Sequence, residues 1–264
     1  MLPLALALGA QNLVKNGSGE AEIKNWDPEQ IQVATEHPHT GKSCFKTIVP
    51  SVIGTAIIPV DGTKTYKYTG WFKSADAQKP TVFFGLSPLT ENKKAINSLN
   101  INAMPATEAV LAEACTPDDT IIKIKNISNW NVDDGNAFIA FDVDDSGEYK
   151  DLPNFNVATS EVLKVERKDA VFEATLKRAC EMNYSAGTKI RLHHSGGYLY
   201  AAHIKEFQSN EWTQISGEIQ GTSKDGDRAR GKQFWPGTKY VKVVVLAVGG
   251  GSIYFDDIHL EEVK

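Results

Sequence analysis

The sequence predicts an all-β protein, a β-sandwich or jelly roll of short strands that hosts a smaller β unit and one short helix. Three observations carry this. Short runs rich in Val, Ile, Thr and aromatics alternate in polarity; Gly, Pro, Asn and Asp bound them; and turn signals recur about every 8–12 residues. The 264-residue chain is 41% hydrophobic and 23% charged, which excludes disordered, collagen-like and membrane-rich classes. A net charge of −5 with scattered Lys and Arg leaves no basic stripe for a phosphate backbone, so nucleic acid is excluded as the main partner.

The elements follow in order. Residues 1–10 end an apolar run that is shorter than the roughly 20 residues of a bilayer span and closes on small residues before Gln11. This reads as the remnant of a secretory signal peptide, an ordinary apolar arm being the alternative, and implies a secreted or cell-surface protein without a membrane span. The first part of the sandwich, 11–105, holds strand patterns at 30–35, 44–49, 54–60, 65–74 and 81–86.

An inserted β subdomain is expected over 106–204. It opens with a predicted helix, ATEAVLAEAC at 106–115, with Thr107 as its cap and Pro117 ending it. Strand-like runs follow at 120–124, 137–141, 162–165 and 171–176, separated by Asp, Asn and Gly turns. The sandwich resumes over 205–264, with strands at 212–219, 240–248 and 252–261.

The three cysteines, Cys44, Cys115 and Cys180, are far apart and show no Cys-x-x-Cys spacing, so neither zinc nor a disulfide framework is signalled. One disulfide with a leftover thiol, and three thiols packed as small hydrophobes, are both compatible with that spacing.

Acidic stretches mark the two ends, Asn16-Gly17-Ser18-Gly19-Glu20 and Phe255-Asp256-Asp257-Ile258. A turn carboxylate matched with a last-strand carboxylate suggests termini meeting in one sheet around a hard cation. Asp256 shares parity with Ile258 and Leu260, so simple alternation puts it on the buried side, where an unpaired carboxylate is costly. Pairing with Lys42 or with backbone N–H groups is the alternative to a metal. The acidic loops at 133–135 and 142–148 lack the full calcium-loop spacing and read as solvated turns.

Sugar recognition needs flat aromatic faces and a few polar side chains. Among the five tryptophans, Trp26 and Trp235 read as core and Trp130 as an anchor of the insert. Trp71 lies opposite in parity to Tyr68 and Phe72 and is a candidate stacking residue. The stretch 191–200 gathers Arg191, His194, Tyr198 and Tyr200 around a Gly-Gly turn, where the insert returns to the sandwich. An ordinary hairpin with cross-strand tyrosine packing is its structural alternative. Neighbouring His193 and His194 point to opposite faces of a strand and do not ligate one ion.

The opening Asn12-Leu13-Val14-Lys15-Asn16-Gly17, the turn Thr40-Gly41-Lys42-Ser43, the run Tyr66 to Ser74 and the closing Tyr254-Phe255-Asp256-Asp257-Ile258 resemble galactose-binding-domain-like jelly rolls. Many of these are carbohydrate-binding modules of secreted bacterial polysaccharide-degrading proteins. The resemblance covers about 11–90 and 205–264. It implies a non-catalytic, monomeric module for a polysaccharide or oligosaccharide, and a structural Ca²⁺ held by Ser18 and Lys42 carbonyls with the Glu20 and Asp256 carboxylates. Gly19 stands where the family turn usually carries an aromatic. The enzyme alternative is a jelly-roll polysaccharide lyase or a glycoside hydrolase. Lyase strand motifs are absent, the nearest approach being Gln214-Ile215-Ser216, as are nucleophile elbows, phosphate loops and zinc-protease helices. A structural or adhesion module of a cell-surface protein is the third reading.

Overall fold

The structure is a computed structural model and describes residues 11–225 and 232–263. The expected signal segment at 1–10 lies outside the described residues. Sixteen strands are present among the described residues, and the one helical element there is a 3-10 turn, Ser98–Asn100.

Two antiparallel sheets form the jelly-roll sandwich. The first is built from β1 (Ile31–Ala34), β2 (Cys44–Thr47), β16 (Ile253–Val263), β5 (Thr65–Ser74) and β14 (Thr213–Gln220), in that spatial order. The second runs β13 (Leu199–Ile204), β6 (Thr81–Leu89), β15 (Tyr240–Val248) and β3 (Ser51–Ile53), with β4 (Ile58–Pro59) also on β15. Alternation decides which residues are inside. Tyr66, Tyr68 and Phe72 of β5 meet Val82, Phe84 and Leu86 of β6 in one core, with the Phe72 and Phe84 rings 5.3 Å apart. Trp26 plugs this core against Phe45 and Phe255, with centroids at 5.2 and 5.3 Å.

The ends of the chain come together. Leu13 N–H donates to the Leu260 carbonyl at 2.8 Å and Ile258 N–H to the Gly17 carbonyl at 3.0 Å. A Cβ at Gly17 would collide with the Ile258 carbonyl, so glycine is what lets the first turn lie on the last strand.

Between β6 and β13 the chain builds a closed six-stranded barrel, ordered β10 (Val157–Lys168), β11 (Val171–Leu176), β8 (Ile121–Lys125), β7 (Ala109–Leu111), β12 (Lys189–His194) and β9 (Ala137–Phe141). Its interior is filled by Leu111, Ile122, Ile124, Ile139, Phe141, Val162, Leu176, Ile190 and Leu192.

The helix expected at 106–115 is β7. Ala109 and Leu111 are buried with Val110 between them less so, and β7 pairs with both β8 and β12, closing the barrel. Only an extended segment supplies those two ladders, and that pairing overrides the helix propensity of an alanine-rich run. Thr107, expected as a cap, instead donates its hydroxyl to the Met104 carbonyl at 2.7 Å and accepts the Leu192 N–H at 3.1 Å.

The parity argument for Asp256 also needs correcting. Asp256 pairs with Trp71 and His259 with Thr69, so three steps on β16 span two on β5, with Asp257 at φ 46°. This bulge breaks the alternation. Phe255 and Ile258 therefore both point into the core, whereas Asp256 faces the other side of the sheet. It is still wholly buried, because the connection from β1 to β2 folds over it.

Candidate functional site

The residues expected to form one sugar site are distributed over three places and a buried network. Arg191 is the clearest departure: it has no exposed surface. On β12 the alternate residues Ile190 and Leu192 fill the barrel, leaving Arg191 and His193 on its outside, but the segment after β9 and the 3-10 turn cover that side. The Arg191 guanidinium donates to Asp151 at 2.9 Å and lies over the Tyr149 ring at 4.9 Å. It also approaches His193 Nε2 at 3.1 Å, while His193 Nδ1 stands 2.6 Å from the Leu99 carbonyl. A carbonyl can only accept and a guanidinium can only donate, so this imidazole is neutral with its proton on Nδ1. Burial first, and the neighbouring Arg191 charge second, push the His193 pKa down to about 4. Arg191 is therefore a fastener between the barrel and the turn beneath it, and cannot contact a sugar.

His194, one residue on, faces a cavity of about 410 Å³ beside the barrel, lined by Asn102, Met104, Asn129, Asn136 and Ser195 among others. Its polar lining is made of amides, the Thr107 and Ser195 hydroxyl groups and the His194 imidazole, with no carboxylate, lysine or arginine. The Ser195 hydroxyl and the Asn136 amide hydrogen-bond each other across one wall.

Tyr198 and Tyr200 do come together, with rings 6.2 Å apart and nearly perpendicular. On β13, Tyr200 pairs with Gly85 and His203 with Phe83, all on the solvent side of the second sheet. The Tyr200 and Phe83 centroids are 4.8 Å apart and His203 stacks on Phe83 at 5.4 Å. A Cβ at Gly197 would approach the Tyr200 ring within 2.5 Å, and one at Gly85 would strike the Leu199 carbonyl. These two glycines leave room for the Tyr200 ring and for the close approach of β13 to β6. Leu246 of β15, opposite Phe83, continues this face, while Val244 beside it is wholly covered, and Lys242 follows further along the strand. The segment 194–200 leads from the cavity to the tyrosines.

Phe83 and His203 escaped the sequence reading. A signal was available for Phe83: in Thr81-Val82-Phe83-Phe84-Gly85-Leu86 the core takes Val82, Phe84 and Leu86, which leaves the other phenylalanine outside.

Trp71 lies on the opposite face of the molecule, outside the first sheet. One ring face is stacked by His39 at 4.1 Å and 20°, and His39 also meets the edge of Trp212 at 5.5 Å. This cluster fastens the β1–β2 connection over β16, and Trp71 is not brought near the tyrosines.

The proposed metal ligands bracket that same connection. Asp256 Oδ2 accepts the N–H of His39 at 2.9 Å and of Thr40 at 3.3 Å, and Oδ1 accepts the Asp257 N–H at 2.7 Å. Glu20 Oε1 accepts the N–H of Lys42 at 2.7 Å and of Ser43 at 2.9 Å. Burial pushes the Asp256 carboxyl up to about 6, against the pull of those N–H donors. Hydrogen bonds from Lys42 and Ser43 draw Glu20 down. Ser18 lies in the first turn beside Glu20, along a groove of about 670 Å³ that Asp257 also lines. All four candidate donors are oxygens, the kind a hard cation takes, but the Asp256 and Glu20 carboxylates are already engaged by main-chain N–H groups. Among the described residues no three His, Cys, Asp or Glu side chains converge, so such an ion would lean on main-chain carbonyls.

Fold and site together define a jelly-roll β-sandwich with an inserted barrel and an aromatic outer face. No family model matches the chain, and no curated protein matches it in sequence. Among solved structures it is similar to the enzymatically active domain of tailspike protein 4 of bacteriophage CBA120, at 10% identity and TM-score 0.42. That match covers 96% of this chain but only 21% of the tailspike chain. It is also similar to the CBM22-1 xylan-binding domain of Paenibacillus barcinonensis Xyn10C, at 7% identity and TM-score 0.41, over 97% of this chain and 96% of that one. A family 16 carbohydrate-binding module matches at 10% identity and TM-score 0.38, over 96% of this chain and all of its own. These likenesses are too distant to assign an activity. Among the described residues no helix is long and apolar enough to cross a membrane.

Proposed function

We propose that the protein is a non-catalytic, monomeric carbohydrate-binding module, secreted or held at the cell surface, that takes a polysaccharide chain along the outer face of its second sheet. The observation that carries this reading is the ring cluster of Phe83, Tyr198, Tyr200 and His203 on the outer face of the second sheet. Such rings stack on the C–H faces of pyranoses while phenol and imidazole groups bond their hydroxyls. The cavity lined by His194 is a second polar recess, joined to the tyrosines through the segment 194–200.

Affinity electrophoresis against a panel of plant and algal polysaccharides tests this. At least one should retard the protein without release of reducing or unsaturated ends, and Tyr200→Ala should weaken retention about tenfold or more. Trp71→Ala, on the far side, should retain it. Product formation, or undiminished retention in the Tyr200 variant, would refute the reading.

The same proposal includes a structural Ca²⁺, for which the Glu20 and Asp256 carboxylates and the Ser18 and Lys42 carbonyls would be the ligands; it would supply a fixed positive charge to the buried Asp256 and take no part in sugar chemistry. EDTA should lower Tm and added Ca²⁺ restore it; a melt indifferent to both sinks the site.

A further inference from the structure

Cys115 and Cys180 are far apart in sequence, yet their sulfurs meet at 3.2 Å inside the barrel, and both residues are almost fully buried. The backbone already holds them in place. Cys115 exchanges two hydrogen bonds with Tyr184, at 2.8 and 2.9 Å, and Cys180 N–H donates to the Asp119 carbonyl at 2.8 Å. The connection leaving β7 and the one leaving β11 are thus fixed against each other, and small side-chain rotations bring the sulfurs to bonding distance. Among the described residues no three His, Cys, Asp or Glu side chains converge on the pair, so no metal site accounts for it, and the charges that act on it, Asp119 and Glu181, are acidic and oppose a thiolate. Cys44, the third thiol, sits by the His37 carbonyl on the sandwich, where its sulfur has no cysteine partner.

We propose that Cys115 and Cys180 are a disulfide site, closed by thiol–disulfide exchange with a disulfide-bearing oxidant, either a small-molecule disulfide or a protein one. The Cys115 thiolate attacks one sulfur of the oxidant and expels the other as a thiol. The Cys180 thiolate then attacks the Cys115 sulfur of that mixed disulfide and expels the second thiol. The protein loses two hydrogens and the oxidant's disulfide is reduced to two thiols, so electrons and protons balance. Burial pushes both thiols up in the folded barrel. Exchange therefore belongs to the stage before the barrel closes, and the finished bridge is shielded from reductant. It encloses β8 to β11, a sequence separation of 65 residues, and so restricts the unfolded chain substantially.

The test is to refold the full chain with oxidised glutathione, denature it without reductant, alkylate it and map the peptides. The proposal expects alkylation at Cys44 alone and one linked peptide pair containing Cys115 and Cys180. Dithiothreitol added during unfolding should lower Tm by about 5–15 °C in the wild type and leave a Cys115→Ala/Cys180→Ala variant unchanged. Alkylation of all three cysteines after oxidative refolding, or a bridge involving Cys44, overturns it.

Discussion

Replacing Asp151 by alanine leaves the Arg191 guanidinium enclosed without its carboxylate. Among the described residues Asp151 is its one ion-pair partner, and Arg191 has no exposed side-chain surface while Asp151 has 9%. The remaining contacts, the Asp144 carbonyl at 3.4 Å, His193 Nε2 and the Tyr149 ring, cannot neutralise the charge. Removing one partner of a buried pair costs about 3–5 kcal/mol, since the other charge stays out of water. Asp151 also accepts from Asn154 Nδ2 at 3.0 Å and from the Asp144 N–H at 3.1 Å, so two further donors lose their acceptor. At about 2–4 °C per kcal/mol for a chain of this size, Tm should fall by roughly 6–20 °C, read by calorimetry. Asp151→Asn keeps the shape and some hydrogen bonding and should lose less. Adding Arg191→Met to Asp151→Ala should recover most of the loss, because the stranded charge is then gone. A Tm within about 1 °C of wild type for Asp151→Ala, or a double variant no better than the single, would refute the fastener role.

Two more outcomes are expected. Gly70→Ala places a Cβ 2.6 Å from Ile258 Cδ1 and 3.0 Å from the Phe72 ring, which should cost about 1–3 kcal/mol in urea unfolding. Adding Ile258→Ala should relieve that clash, and non-additivity of the two changes checks it. His193 titrates near 4 in the fold and near 6.5 when unfolded, so the unfolded chain takes the proton first. Its contribution, about 3 kcal/mol, is present above pH 6.5 and lost as pH falls toward 4. The stability profile of His193→Gln should be flatter than wild type across that window; parallel profiles would contradict the assignment.

Much of the sandwich was readable because its strands obey strict alternation: 65–74 reads in sequence as the strand Thr65–Ser74 that is observed. Where alternation fails, the reading fails with it. At Asp256 one extra residue in the bulge reverses the phase, and nothing in Phe-Asp-Asp-Ile announces it. In ATEAVLAEAC the spacing of Ala109 and Leu111 suits a strand while the composition suits a helix, and only the open seam of the barrel decides between them. Arg191 was misplaced for a related reason. Parity says which side of β12 it occupies, but not that another segment covers that side. Tyr198 and Tyr200 were legible as a pair, whereas His203 owes its place to a shift in register between Tyr200 and Ala202.

The barrel departs from β6 and returns on β13, and these two strands are hydrogen-bonded neighbours, Leu199 lying opposite Leu86. Topologically the whole insert is the tip of a hairpin. A hairpin closed by so long a flexible tip would meet a large entropic barrier, but a tip that has already condensed presents its two ends side by side. The expectation during folding is that the barrel gathers before β13 pairs with β6. In pulse-labelling hydrogen exchange, amides of β8 to β12 should gain protection before those of β13. The face proposed to meet the ligand would then form only once the barrel has brought its two strands together.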